Sequence, residues 1–158
     1  LLVIDAGNQF NAYRVARQLR RQTIELDAAL ERIRLVRPFT VYQLIALFDD
    51  VRPPAPIPVI ILDLLMLFYD EDVALSEAQR LLARTLAHLT ARKQAAPVLV
   101  GARPPNRLVP ERLVLLHALA EASDLFLQPS GQAERGPGGL ANHLPAAAVP
   151  LLPGIFEE

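Results

Sequence analysis

Apolar runs of strand length alternate with segments of helical period along most of this chain, and that alternation restricts the fold more than any other feature. Five runs read as strands: Leu1 to Asp5, Ile33 to Arg37, Val59 to Asp63, Pro97 to Gly101 and Asp124 to Gln128. Their continuous apolar character suits strands buried on both faces of a parallel sheet, which requires a crossover between successive strands. Asn11 to Arg21, Leu26 to Arg32, Val41 to Val51, Ser76 to Lys93 and Pro110 to Ala122 read as helices. Val41, Leu44, Ile45 and Phe48 form one stripe of the third helix, which Pro53 and Pro54 bring to an end. In the fourth, Ser76 and Gln79 fit a capping box, Leu82, Leu86 and Leu89 form the inward stripe, and Arg84, His88 and Arg92 mark the wet side. In the fifth, Leu113, Leu116 and Leu119 with Ala120 face inward. The expectation is an α/β fold, a mostly parallel sheet flanked by helices in three layers.

Length and composition bound the chemistry. A chain of 158 residues, 52% apolar, is long enough to bury a core without staples. It has no cysteine, so thiol catalysis, thiolate metal sites and disulfides are excluded. Sixteen basic residues balance seventeen acidic ones, which argues against a generally basic nucleic-acid coat or a polybasic membrane arm but leaves room for a local patch. The basic residues are all arginine except Lys93, a pattern that suits either a GC-rich genome or selection for guanidinium forks that grip phosphate. The most apolar stretch, Val59 to Phe68, is broken by Asp63 and reaches half a membrane span, so no membrane association is expected. The chain opens on Leu1 rather than Met, and the expectation is a piece of something longer. Residues 1 to 128 read as the folded core, whereas 129 to 158 read as a Gly/Pro-rich loop followed by an apolar segment.

Ligands of doubly wound sheets bind beyond the carboxyl ends of the strands. The positions to weigh are therefore Asp5 to Asn8, Arg37 to Thr40, Asp63 and its successors, and Gly101 to Arg107. Asp63 stands out, because four apolar residues lead into a carboxylate that is costly to bury. Such a strand-end carboxylate either holds the magnesium ion of a nucleotide through water or caps the following turn. Asp5 ends another strand and could pair with Asp63 across the sheet. Arg103 and Arg107, on a proline-stiffened loop, and Arg112 just after it could contact DNA phosphates or remain solvated. Asp70, Glu71 and Asp72 read as a solvated loop, and His88, His117 and His143 have no ligand spacing. No phosphate loop of the form G-x-x-x-x-G-K-[ST] occurs, and there is no nucleophile elbow or dinucleotide fingerprint.

The order of these segments resembles the RecA-like recombinase ATPases, in particular the archaeal and eukaryotic strand-exchange proteins and their paralogues. LLVIDAGNQFNAYRVARQLRRQ is similar to the family's strand, turn and helix with the pattern I-D-T-E-G-x-F-x-x-x-R, where Ile4, Asp5, Phe10 and Arg14 fit. ERIRLVRPFTVYQLIALFDDV resembles the next strand and helix, with Gln43 at the family's glutamine. PVIILDLLMLFYDED resembles the Walker B strand, and ALSEAQRLLARTLAHLTARKQAAPVLVGARPP resembles the helix and strand after it. The resemblance covers residues 1 to 128 and implies a RecA-like core without the phosphate-loop strand, which would lie upstream of Leu1.

The departures from the family matter as much. The glutamate that polarises the attacking water falls on Gly7, the polar pair that senses the terminal phosphate falls on Ala102 and Arg103, and the family's helix arginine falls on Ala78. The second DNA-contacting loop corresponds to Gly101 to Pro110 and is much shorter. The resemblance and its departures together imply an accessory module of DNA recombination or repair deficient in ATP hydrolysis, with Asp63 and Asp5 as remnant nucleotide-site residues and DNA and paralogous subunits as partners in an intracellular setting. Two alternatives stay open. One is a fragment of an active ATPase that binds ATP and Mg2+ through an upstream phosphate loop, and the other is a scaffold that does not bind DNA.

Overall fold

A computed structural model describes residues 1 to 50 and 57 to 127. The residues up to Phe126 form one compact unit. Among the described residues, four parallel strands make a single sheet in the order β2-β1-β3-β4: β1 is Leu2–Asp5, β2 Arg34–Val36, β3 Val59–Leu62 and β4 Val98–Val100. The described helices are α1 Ala12–Leu19, α2 Leu26–Glu31, α3 Val41–Asp50, α4 Leu75–Lys93 and α5 Leu113–Glu121, with 3-10 turns at Leu64–Phe68 and Pro110–Arg112. The α/β class and the parallel sheet agree with the sequence expectation.

Strand order decides where the helices lie. The step from β1 to β2 runs one way across the sheet, while β2 to β3 and β3 to β4 run the other way. Right-handed crossovers therefore place α1 and α2 on one face and α3 and α4 on the opposite face. The core forms on the second of these faces. Leu2, Ile4, Val59 and Ile61 from the sheet pack with Val41, Leu44, Ile45 and Phe48 of α3, with Ala78, Leu81, Leu82 and Leu89 of α4, and with Leu115 and Leu119 of α5. The face shared with α1 and α2 is thinner, because neither helix buries a residue completely. Cross-strand partners Leu35, Val3, Ile60 and Leu99 line up there, and Leu99 on the edge strand is 63% exposed. Burial on both faces thus holds for β1 but not for the outer strands.

Several local expectations are corrected. Asp124 to Leu127 forms no strand: its residues stay exposed just beyond α5 and join no ladder of the sheet, and Lys93 Nζ donates to Asp124 Oδ1 (2.6 Å); Gln128 lies outside the described residues. Val51 and the prolines Pro53 and Pro54 also lie outside them. Ser76 is inside α4 rather than at its cap, since half-buried Leu75 packs on the core and starts the helix one residue earlier behind Ala74. The capping pair occurs instead at α3, where Gln43 N donates to Thr40 Oγ1 (3.2 Å) and Gln43 Oε1 accepts from Phe39 N (2.7 Å). In α5, Leu116 and Leu119 pack inward as expected and Leu115 is buried with them, but Leu113 is exposed, because the Pro110–Arg112 turn delays the helix.

That turn is anchored by Arg112. Its guanidinium is buried, donating to the carbonyls of Phe68 (2.5 Å) and Val73 (2.6 Å), and it ties α5 to the segment after β3. Replacing it leaves two buried carbonyls without donors and opens a cavity. Arg112→Ala is therefore expected to lower unfolding free energy by about 2 to 4 kcal/mol in urea titration; a loss near that of an ordinary surface substitution would contradict the anchoring role.

Candidate functional site

Chain direction across the sheet reverses between β1 and β3, and their carboxyl ends open at that point. This is where an α/β sheet offers a crevice to a ligand. Two tight departures shape it. Ala6 N and Gly7 N both donate to the Leu62 carbonyl (3.0 and 3.2 Å), folding the end of β1 over the end of β3. Beyond β3, Asp63 takes a left-handed conformation (φ 56°, ψ 51°), which aspartate tolerates better than most residues.

The Asp63 carboxylate is nearly buried and fully engaged. Arg103, three residues beyond β4, donates its backbone N–H to Oδ1 (3.3 Å), and its Nε (2.8 Å) and terminal nitrogen both reach Oδ2. This contact raises the guanidinium further above the usual arginine range, chiefly through the hydrogen bonds and then through the charge. Tyr69 closes the arrangement, its hydroxyl donating to the Arg103 carbonyl (2.8 Å). Burial, with the Asp63 charge adding to it, pushes the Tyr69 phenol up to about 12, so the hydroxyl stays a donor at neutral pH.

Gly7 is the third part of the same arrangement. A Cβ at this position would stand 2.5 Å from Asp63 Cβ and 2.6 Å from its Oδ2. This position thus has no room for any side chain while Asp63 keeps its place. Leu64 N donates to the Gly101 carbonyl (2.9 Å) and Gly101 N to the Ile61 carbonyl (2.8 Å), which bring the loop bearing Arg103 alongside β3.

Asp5 is equally occupied. Its Oδ1 accepts from Gln9 N (2.7 Å), and its Oδ2 accepts from Phe10 N (3.1 Å) and Arg37 Nε (3.0 Å), so the carboxylate orders the turn after β1 and pairs with the end of β2. Asp5 and Asp63 end neighbouring strands, as expected, but each has its own arginine rather than a shared ligand. A free magnesium ligand or general base is not what either carboxylate presents, and the residues present do not fit a magnesium nucleotide while these contacts hold. Among the described residues no three His, Asp or Glu side chains cluster as a metal site, and no helix is long and apolar enough to cross a membrane.

The three arginines singled out from the sequence separate. Arg103 is spent on Asp63 although its side chain is 62% exposed, and Arg107 is exposed and has a partner of its own. Arg112 is 4% exposed and cannot reach a phosphate, which corrects its assignment to DNA. Asp70, Glu71 and Asp72 form the expected exposed loop, where Asp72 N donates to Asp70 Oδ1 (3.0 Å). Sequence reading misses Arg37 and Tyr69 as partners. Arg37 carries a usable signal, being the only cation at the end of the strand beside Asp5, whereas Tyr69 reaches Arg103 only through the tertiary fold.

Elsewhere, a groove of about 210 Å3 between α4 and α5, lined by Leu82, Leu86, Val114 and Ala118 among others, has no charged group to orient a ligand. No protein-family model matches the sequence, and no curated protein matches it.

Because Gly7 leaves room for Asp63, Gly7→Ala is expected to cost about 1 to 3 kcal/mol of stability as an overpacking change. Denaturant unfolding measures it; a neutral Gly7→Ala would mean that the close approach is not required.

Proposed function

We propose that this chain is a RecA-like module deficient in ATP hydrolysis that serves DNA recombination or repair as an accessory subunit. One observation carries the reading: Arg103 is ion-paired with Asp63 at the switch point of the sheet, where a metal-bound nucleotide would otherwise be held. A guanidinium supplies positive charge there permanently, so the carboxylate is stable without magnesium and is not free to bind it. Gly7 agrees with this, since it excludes a side chain at the position of the water-polarising glutamate. The parallel sheet, the strand order and the segment sequence from β1 to β4 are compatible with a RecA-like core. The outer edge of β4 and the exposed Leu99 are surfaces that a further strand and helix would cover.

The alternative of an active ATPase would need Asp63 released from Arg103 during turnover. Two measurements on the full chain separate the readings. Phosphate release with Mg2+ and ATP is expected to stay at background, and DNA affinity, read by fluorescence anisotropy, is expected to fall with salt and to be indifferent to the nucleotide. ATP turnover that Asp63→Asn abolishes would overturn the hydrolysis-deficient reading, and DNA affinity without a salt slope would overturn the DNA reading in favour of a protein scaffold.

A further inference from the structure

The cations of this chain are sharply divided by what they touch. Arg37 pairs with Asp5, Arg80 with Glu77, Arg84 with Asp49, Lys93 with Asp124 and Arg103 with Asp63. Arg112 is buried on two carbonyls, and Arg14, Arg92 and Arg107 have partners as well. Among the described residues this leaves Arg17, Arg20, Arg21, Arg32 and Arg34, all exposed and all with side chains that make no hydrogen bond or ion pair. They fall in one stretch of the chain.

The fold gathers them further. Parallel β1 and β2 oblige α1 and α2 to carry the chain from the carboxyl end of the sheet back to its amino end. Arg20 and Arg21 close α1 there, Arg32 closes α2, and Arg34 opens β2 opposite Leu2. The Leu1 amine donates to the Arg32 carbonyl (3.0 Å) and Arg34 N to the Leu1 carbonyl (2.9 Å), which places both arginines at that end, with Arg34, in register with Leu2, on the α3 and α4 face and Arg32 on the side of α1. Arg17 stands one turn before Arg20 and Arg21 on α1.

Charge segregation supports a role outside folding. Positions 14 to 37 hold seven arginines against the carboxylates of Glu25, Asp27 and Glu31, in a chain whose overall charge is −1. Those three carboxylates form no ion pair with the five arginines. No α1 residue is fully buried, so the helix adds little to the core and its guanidinium groups are not needed there. Tyr13, 74% exposed, lies one turn before Arg17 on the same face.

We propose that Arg17, Arg20, Arg21 and Arg32, on the α1 and α2 side of the sheet, form a binding surface for the phosphate backbone of single-stranded DNA that runs along α1 toward the amino end of the strands, with Tyr13 one turn before Arg17 available to stack on a base. This rests on the DNA reading of the chain and moves the contact away from the Arg103 loop. Guanidinium forks on α1 one turn apart, about 4.5 to 6 Å along the axis, match successive phosphates. An exposed aromatic beside them favours unpaired bases over an acidic polypeptide.

The test uses the full chain and a fluorescein-labelled oligo-deoxythymidine, with anisotropy titrations across a range of KCl concentrations. The triple variant Arg17→Gln, Arg20→Gln and Arg21→Gln is expected to bind at least about tenfold more weakly, with a log-log salt slope shallower by about 2. The corresponding Arg→Lys triple is expected to keep the slope. Because the replaced side chains are exposed and unpaired, both triples should retain the wild-type melting temperature, which checks the fold. If wild-type binding is salt-sensitive but moves only with Arg103→Gln and Arg107→Gln, this surface is refuted and the DNA reading stands. If wild-type protein shows no salt-sensitive binding at all, the DNA reading falls and this surface with it. Equal competition by polyglutamate and oligonucleotide would refute recognition of DNA by this surface.

Discussion

The ion pair between Asp63 and Arg103 sets the geometry at the open end of the sheet. A carboxylate at the end of a buried strand is unstable alone, and here its lone pairs are satisfied by one backbone N–H and one guanidinium. The surrounding features depend on that contact. Gly7 must lack a side chain to let the carboxylate in, Asp63 must turn left-handed to point at the loop after β4, and Tyr69 holds the backbone of Arg103 in place. Remove the arginine, and a buried negative charge is left beside the ends of three strands. The same arrangement fills with protein contacts the crevice that a doubly wound sheet opens at its switch point.

Much of the fold is legible in the sequence because a parallel sheet writes itself into continuous apolar runs. Val59 to Leu62 and Leu2 to Ile4 are such runs, and both are central strands. The α3 stripe of Val41, Leu44, Ile45 and Phe48 is equally plain, since its spacing is set by the helix alone. Expectations fail where tertiary contacts override local pattern. In the α5 stripe Leu116 and Leu119 pack inward as read, but the buried Arg112 fixes the preceding turn, leaving Leu113 exposed and burying Leu115. Asp124 to Leu127 has strand-like composition, yet it stays exposed beyond α5 and joins no ladder of the sheet.

The site is legible in location and not in partnership. Asp5, Asp63 and Arg103 all stand out by strand-end position, and all three lie at the carboxyl end of the sheet. Which arginine meets which carboxylate depends on strand order, and the order β2-β1-β3-β4 cannot be read from spacing. Given that order, Arg37 beside Asp5 and Arg103 beside Asp63 are direct consequences, because β2 flanks β1 and β4 flanks β3. Arginine richness has two readings in the sequence, genome composition or phosphate grip. Among the described residues, the division into paired arginines and an exposed, unpaired group is what the proposed phosphate surface rests on.

Central to the account is that Asp63 and Arg103 act as one unit, and a double-mutant cycle measures this most directly. Urea unfolding of the wild type, Asp63→Asn, Arg103→Gln and the double variant is expected to give a coupling of about 1 kcal/mol, moderated by solvent around the exposed guanidinium. The double variant would then be less destabilised than the sum of the two single ones by that amount. Additivity within about 0.3 kcal/mol, with each substitution acting as if the other were absent, would contradict the account and return Asp63 to the role of an unclaimed carboxylate.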